Sequence, residues 1–172
     1  MLKSLAVGLL VGLGAAYAQT DTSTSVSYFD AKSGLAAGDD INQYANLKQH
    51  PLYPYLAADF FLKQLYRDSE ITALFEQYYD APPIKKLHNR WILQQYQQGN
   101  DAAIIQHYFD TGDQEANCAY RSAQLRQGNR QAALKNIDWL WLSPRSVSSI
   151  CDPVFAAWPK ANDPAYRLKR AR

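Results

Sequence analysis

The run CAYRSAQLRQGNRQAALKNIDWLWLSPRSVSSICDPVFAAW, residues 118–158, decides the fold. Ala119, Ala123 and Leu125 precede the pair Gly128-Asn129, and Ala132, Ala133, Ile137, Leu140 and Leu142 recur after it at roughly helical spacing. Glycine takes the left-handed conformation that closes many helices, so the pattern predicts one helix capped at Gly128 and a second, amphipathic helix leaving it. Pro144 stops the second helix. The serine-rich run 146–149 then starts a third, which carries Cys151, Val154, Phe155 and Trp158 on neighbouring turns. Three helices converge on the only two cysteines of the chain, Cys118 and Cys151.

The same grammar returns toward the N-terminus. QQGNDAAI around Gly99 aligns with RQGNRQAAL around Gly128, 29 positions later, and Gly38-Asp39 lies about twice that distance upstream. Before Gly99, Ile84, Leu87, Trp91, Ile92 and Tyr96 form a helical stripe; Ala102, Ile104, Ile105 and Phe109 continue it afterwards. Asp68-Ser69 is expected to cap a helix through Ile71, Leu74, Phe75 and Tyr78-Tyr79, which Asp80-Ala81-Pro82-Pro83 ends. In HPLYPYLAADFF, Pro54 suits a first helical turn, and the run through Leu62 and Leu65 is apolar on more than one face, as a helix buried between neighbours would be. Tyr28, Phe29, Ala31, Leu35 and Ala36 give a first helix ended by Gly38, with Asp39-Asp40 starting the next through Ile41, Tyr44 and Leu47. Helix pairs that bury their faces only against the next pair make a stacked array. The expected fold is all-α, an irregular α-solenoid or superhelix of tetratricopeptide-like hairpins spanning 28–172. After Pro159, Asn162-Asp163-Pro164 starts a last helix with Tyr166 and Leu168, which runs out at Arg172 after about two turns. A partnerless terminal helix reads as a domain truncated at its carboxy terminus.

Residues 1–18 stand outside this pattern. Lys3, the uncharged run 5–15 and Ala16-Tyr17-Ala18 have the anatomy of a secretory signal peptide, and the polar stretch 19–27 reads as a disordered leader. The apolar run is too short to anchor the chain in a bilayer, and nothing later spans one. Without Lys3 the formal charge falls from +2 to +1, so no polycation points to nucleic acid; the basic end, Arg167 to Arg172, reads as a solvated helix face. Export implies an oxidising compartment, which favours a Cys118–Cys151 bridge over two buried thiols. His50, His88 and His107 sit at no ligand spacing, so no metal site is expected.

HPLYPYL, DAPPIKKLHNRWILQQYQQGN, the Cys118 helix with its Gly128 turn, and LWLSPRSVSSICDPVFAAW followed by NDPAYRLKR together resemble the amino-terminal superhelical region of soluble lytic murein transglycosylases. The resemblance implies a periplasmic protein of peptidoglycan metabolism, in which a U-shaped or ring-like helical domain precedes a lysozyme-like one. That second domain cleaves the β-1,4 bond between N-acetylmuramic acid and N-acetylglucosamine and leaves a 1,6-anhydro end. A single glutamate in a Glu-Ser motif serves there as acid and then base. It belongs to a domain beyond the residues matched here.

Glu70, Glu76 and Glu115 are the only glutamates. Glu70 follows Ser69, the reverse of the Glu-Ser order, and suits a first-turn anion; Glu76 reads as solvated and Glu115 as part of a turn. His88 and His107 read as surface residues, and His50 as a cap on the helix before it. No nucleophile elbow or phosphate loop is present. Trp91, Trp139, Trp141 and Trp158, with Tyr53, Tyr55, Tyr78, Tyr79, Tyr96 and Tyr108, serve either as packing core or as sugar-stacking faces. Trp139 and Trp141, two apart on one helix, cannot both point inward. The expected function is a non-catalytic helical scaffold without cofactor, whose partners are a glycan strand, a catalytic domain or another periplasmic protein. The alternative is a free-standing interaction module of helical repeats.

Overall fold

Ser27 caps the first helix reciprocally. Its hydroxyl accepts from the Asp30 amide at 3.2 Å, while the Asp30 carboxylate accepts from the Ser27 amide at 3.1 Å. The computed structural model describes residues 27–144 and 148–170. The expected signal peptide, the leader up to residue 26, Ser146 and the final Arg172 lie outside them. Ser27 itself, expected as leader, is the N-cap of helix α1 (Tyr28–Ala37). Gly38, at φ 113°, closes α1, and the Asp39 amide reaches back to the Gly34 carbonyl at 3.0 Å. Of the five apolar residues expected on the inner face of α1, only Ala31 is fully buried and Phe29 is 76% exposed.

The next segment differs from the expected α-helix. Ile41–Leu47 is made of 3-10 turns joined at a kink, where Tyr44 leaves helical geometry at φ −109° and ψ 28°, and its three large apolar groups, Ile41, Tyr44 and Leu47, are all buried. Helix α2 (Tyr53–Phe61) carries Pro54 in its first turn and buries Tyr53, Leu56, Ala57, Ala58, Phe60 and Phe61 against α1 and α4. It ends sooner than its apolar run suggests, and Leu62 and Leu65 pack from the following turn.

Helix α3 (Asp68–Tyr78) has Arg67, not Asp68, as N-cap. The Asp68 carboxylate is turned across the bundle instead, accepting from Trp91 Nε1 at 2.7 Å and Gln95 Nε2 at 3.0 Å. Helix α4 (Pro82–Gln98), the longest, places Ile84, Leu87, Trp91 and Ile92 in the core and meets α2, α3, α5 and α6. Helices α5 (Asp101–His107) and α6 (Gln114–Arg126) follow. Glu115 belongs to the first turn of α6 rather than to the preceding turn, and Asp113 is the cap, accepting from the Ala116 amide at 2.9 Å.

The single amphipathic helix expected after Gly128 is two short ones, α7 (Arg130–Leu134) and α8 (Asp138–Trp141). The cause is Arg121, an almost buried side chain of α6 whose Nη1 donates to the carbonyls of Ala133 at 2.6 Å and Lys135 at 2.8 Å. Those carbonyls are thereby held away from further helical pairing. Asn136 then takes φ 51°, a left-handed conformation that asparagine tolerates better than most residues. A 3-10 turn (Ser149–Cys151) leads into α9 (Asp152–Ala157), a second (Pro159–Asn162) follows, and α10 (Pro164–Arg170) completes the described chain. No strand occurs among the described residues.

Two apolar clusters share α6. Ala116, Ala119 and Ala123 face the larger one with α2 and α4. Cys118 faces a smaller one with Ile137, Leu140, Trp141, Val154, Phe155 and Trp158. Cys118 and Cys151 are joined by a disulfide with both residues fully buried, their Cα atoms 4.9 Å apart and 33 positions apart in sequence. Closing a loop of that length restricts the unfolded chain by about 3–4 kcal/mol on the chain-entropy estimate. Replacing both cysteines by alanine is therefore expected to lower stability by up to that amount in chemical denaturation, with unfolding beginning in α7–α10. An unchanged midpoint would show that the bridge adds nothing to the folded state.

Candidate functional site

The repeated Gly-Asn turns are the most regular construction in the chain. In each, a glutamine side chain buried five residues before the asparagine reaches down to the turn. Gln95 Oε1 accepts from Asn100 Nδ2 at 2.8 Å, and Gln124 Oε1 accepts from Asn129 Nδ2 at 2.9 Å. The backbone repeats with equal fidelity: Asn100 N to Gln95 O is 2.9 Å, Asn129 N to Gln124 O is 2.8 Å, and Gly99 and Gly128 hold φ 73° and 80°. The amide nitrogen of each glutamine then donates once more, that of Gln95 to Asp68 on α3 at 3.0 Å and that of Gln124 to the hydroxyl of Tyr120, one turn earlier on α6 itself, at 3.0 Å. The sequence signal lies four residues before each glycine, in QYQQGN and QLRQGN.

Successive turns are also tied to each other. Arg126, at the end of α6, holds Asp101 at the start of α5 through Nε contacts of 2.9 and 3.0 Å and an Nη2 contact, and lies over the Tyr96 ring at 4.8 Å. One repeat on, Arg130 stands where Asp101 stood and donates to the Ala157 carbonyl at the end of α9. Each layer thus reaches the next at its turn end.

None of the three glutamates is set up as an acid. Glu70 is paired with Arg67, which also holds Asp40 at 2.5 Å, and these contacts keep both carboxyls below the usual range. A general acid requires the opposite shift. Glu76 and Glu115 are exposed on helix surfaces.

The histidines stand elsewhere than expected. His88 is fully buried, edge-on to Phe75 at 5.1 Å and 3.8 Å from the Phe109 ring. Its Nε2 lies 3.3 Å from the Phe109 amide nitrogen and 3.2 Å from the His107 carbonyl oxygen, and its Nδ1 3.3 Å from Asn89 Oδ1; with its proton on Nδ1 the neutral ring donates to Asn89 and accepts from Phe109. Burial pushes its pKa down to about 4. His107 is half-buried with its ring edge-on to Trp91 at 5.7 Å. His50 caps the segment after it, accepting from the Leu52 amide at 3.1 Å. A periodicity reading misplaced His88 because position 88 lies beside Leu87 and one turn before Trp91 and Ile92, inside a stripe wider than the apolar letters alone suggest.

Among the aromatics, Trp91, Trp141, Trp158 and Tyr53 are core, while Trp139 is 41% exposed. Tyr55 and Tyr79 are exposed, and Tyr78, Tyr96 and Tyr108 are half-buried packing groups. No group of acidic, histidine or cysteine residues able to hold a metal occurs among the described residues. No helix there is long and apolar enough to cross a membrane.

No family model matches the chain. Over 131 residues, 73% of its length, it is 28% identical to the soluble lytic murein transglycosylase of Salmonella typhimurium and 27% identical to that of Escherichia coli K12. The chain spans 20% of the length of these relatives. A 70-kDa soluble lytic transglycosylase in complex with bulgecin A superposes with a TM-score of 0.66 at 25% identity, over 83% of this chain and 24% of that one. An inactive mutant of the lytic transglycosylase Slt from Pseudomonas aeruginosa gives 0.64 at 26%, over 83% of this chain and 25% of that one. The chain is a homologue of soluble lytic murein transglycosylases along part of their length, and its fold is that of their helical superhelix.

Two outcomes test this reading of the polar groups. With a folded-state pKa near 4 against 6.5 unfolded, the unfolded chain binds the extra proton between those values, so His88 should weaken the fold as pH falls from 6.5 toward 4. The full difference is about 3 kcal/mol. His88→Gln should flatten that part of a stability–pH curve, and an unchanged slope would refute the assignment. Gln95→Leu removes the hydrogen bonds to Asn100 Nδ2 and Asp68 Oδ1 and should cost about 0.5–1.5 kcal/mol, whereas Gln98→Ala on the exposed side should cost little. Equal effects in thermal melts would contradict the turn's proposed importance.

Proposed function

We propose that this chain is a non-catalytic helical scaffold of a peptidoglycan lytic transglycosylase, exported to the periplasm and lying beside the murein substrate of its relatives. The observation that carries the reading is the agreement of a sequence likeness with a likeness of fold. The sequence matches lytic murein transglycosylases over 131 residues, and the hairpin stack superposes on helical regions of such enzymes with TM-scores of 0.64–0.66. The helical part would follow a signal peptide at 1–18 and a polar leader.

The residues support a scaffold rather than a reaction centre. The groups at the turns are consumed in hydrogen bonds and ion pairs of the fold, and Glu70 is locked to Arg67. The buried Cys118–Cys151 bridge fits an oxidising compartment. Cleavage of the glycan would require a domain carrying an acid whose pKa is raised, and Glu70 is shifted the other way.

The test is co-sedimentation of the purified oxidised chain with isolated murein sacculi, with mass analysis of the soluble fraction. Retention on sacculi without release of 1,6-anhydro products is the expected result. Sustained release by homogeneous protein would overturn the non-catalytic assignment, and absence of retention would overturn the role beside the murein.

A further inference from the structure

Helix α4 has a second face on which Leu93 packs partly against the core while Arg90 and Gln97 stay at the surface. Arg90, Leu93, Gln94 and Gln97 occur at i, i+3, i+4 and i+7, opposite the buried stripe of Ile84, Leu87, Trp91 and Ile92. With Glu115 from the first turn of α6, they wall a groove of ≈ 410 Å³. Leu65 and Ile150 close its apolar sides. The volume lies in the range of small-ligand sites. Arg90, Gln94, Gln97 and Glu115 make no hydrogen bond or ion pair among the described residues, in contrast to the glutamines and arginines at the turns.

The donor set selects a ligand class. A guanidinium offers a fork to a carboxylate, and a carboxylate accepts from an ammonium group. Each carboxamide presents a donor and an acceptor side by side, matching the N–H and C=O of a peptide unit. Three aliphatic side chains, Leu65, Leu93 and Ile150, suit methyl-sized substituents. No aromatic ring lines the groove, so it has no flat face on which a pyranose would stack.

We propose that this groove binds a short peptide of small side chains that carries both a free carboxylate and a free ammonium group, the chemistry of the peptides attached to murein glycan. The identification of that source rests on the murein reading above. In the bound arrangement Arg90 holds the carboxylate, Glu115 the ammonium, and Gln94 and Gln97 the peptide units between them.

The experiment is an amide-resolved NMR titration of the full chain with the soluble peptide L-Ala–γ-D-Glu–meso-diaminopimelate, alongside murein glycan stripped of its peptides by an amidase. The tripeptide is expected to shift amides of residues 90–97 and 115. Arg90→Glu and Glu115→Arg should each weaken binding at least tenfold, and Lys86→Glu, on an exposed position outside the groove, should not. All three variants alter exposed side chains, and their amide spectra report whether the fold is retained. No shift at millimolar tripeptide, shifts unaffected by Arg90→Glu in a folded variant, or binding of peptide-free glycan in this groove would each overturn the proposal. Retention on sacculi that survives amidase treatment would leave the scaffold reading standing and discard this one. Loss of all sacculus retention would discard the scaffold reading, and the tripeptide titration would still decide whether the groove binds its ligand.

Discussion

Everything in this fold depends on satisfying the polar backbone where one helix turns into the next. A left-handed glycine reverses the chain, and the carbonyls and amides it exposes must find partners in a space already filled by side chains. At Gly99 and Gly128 the partner is a buried glutamine from the preceding helix, hydrogen-bonded to the asparagine after the glycine. The amide of Gln95 continues to Asp68 on α3 and so braces the first turn against a neighbouring helix, while that of Gln124 stays within α6 by donating to Tyr120. Each buried glutamine thus ties an asparagine of the turn to the helix before it, and the two turns recur 29 positions apart.

Helix α6 converts that local regularity into one body. Its alanines admit the close approach of α4 and α5, its cysteine ties it to the segment before α9, and its Arg121 shortens α7 by taking two carbonyls. The two apolar clusters lie on opposite faces of this one helix. Burial pushes the pKa of Arg121 down, yet three oxygen partners keep the guanidinium solvated by protein. A scaffold built this way offers shape and a few unused side chains, of which the stripe on α4 is the most coherent set.

The helical hairpins were legible from sequence because their signals are short-range. Gly38, Gly99 and Gly128 end helices where the apolar stripes do, and Trp141 is buried while Trp139 is exposed, as a two-residue offset on a helix demands. The failures share a different cause. Asp68 was read as a cap because Asp-Ser before an apolar run usually is one, but a tryptophan and a glutamine 23 and 27 positions away compete for its carboxylate. His88 was read as surface, yet burial among Phe75, Tyr108 and Phe109 comes from a helix that the local pattern does not contain. The break between α7 and α8 likewise depends on an arginine from the previous helix. Local periodicity carries the elements; partners distant in sequence decide where polar side chains go.

The claim that α6 and its braced turns unite the chain is tested most directly by native-state hydrogen exchange of the oxidised protein. The amides of Asn100 and Asn129, both bonded to carbonyls of α4 and α6, and those within α6 should exchange only through one common, global opening. Exchange of Asn129 and the α7–α9 amides through a separate opening of much lower free energy, with α4 still protected, would show two independent units and contradict the account.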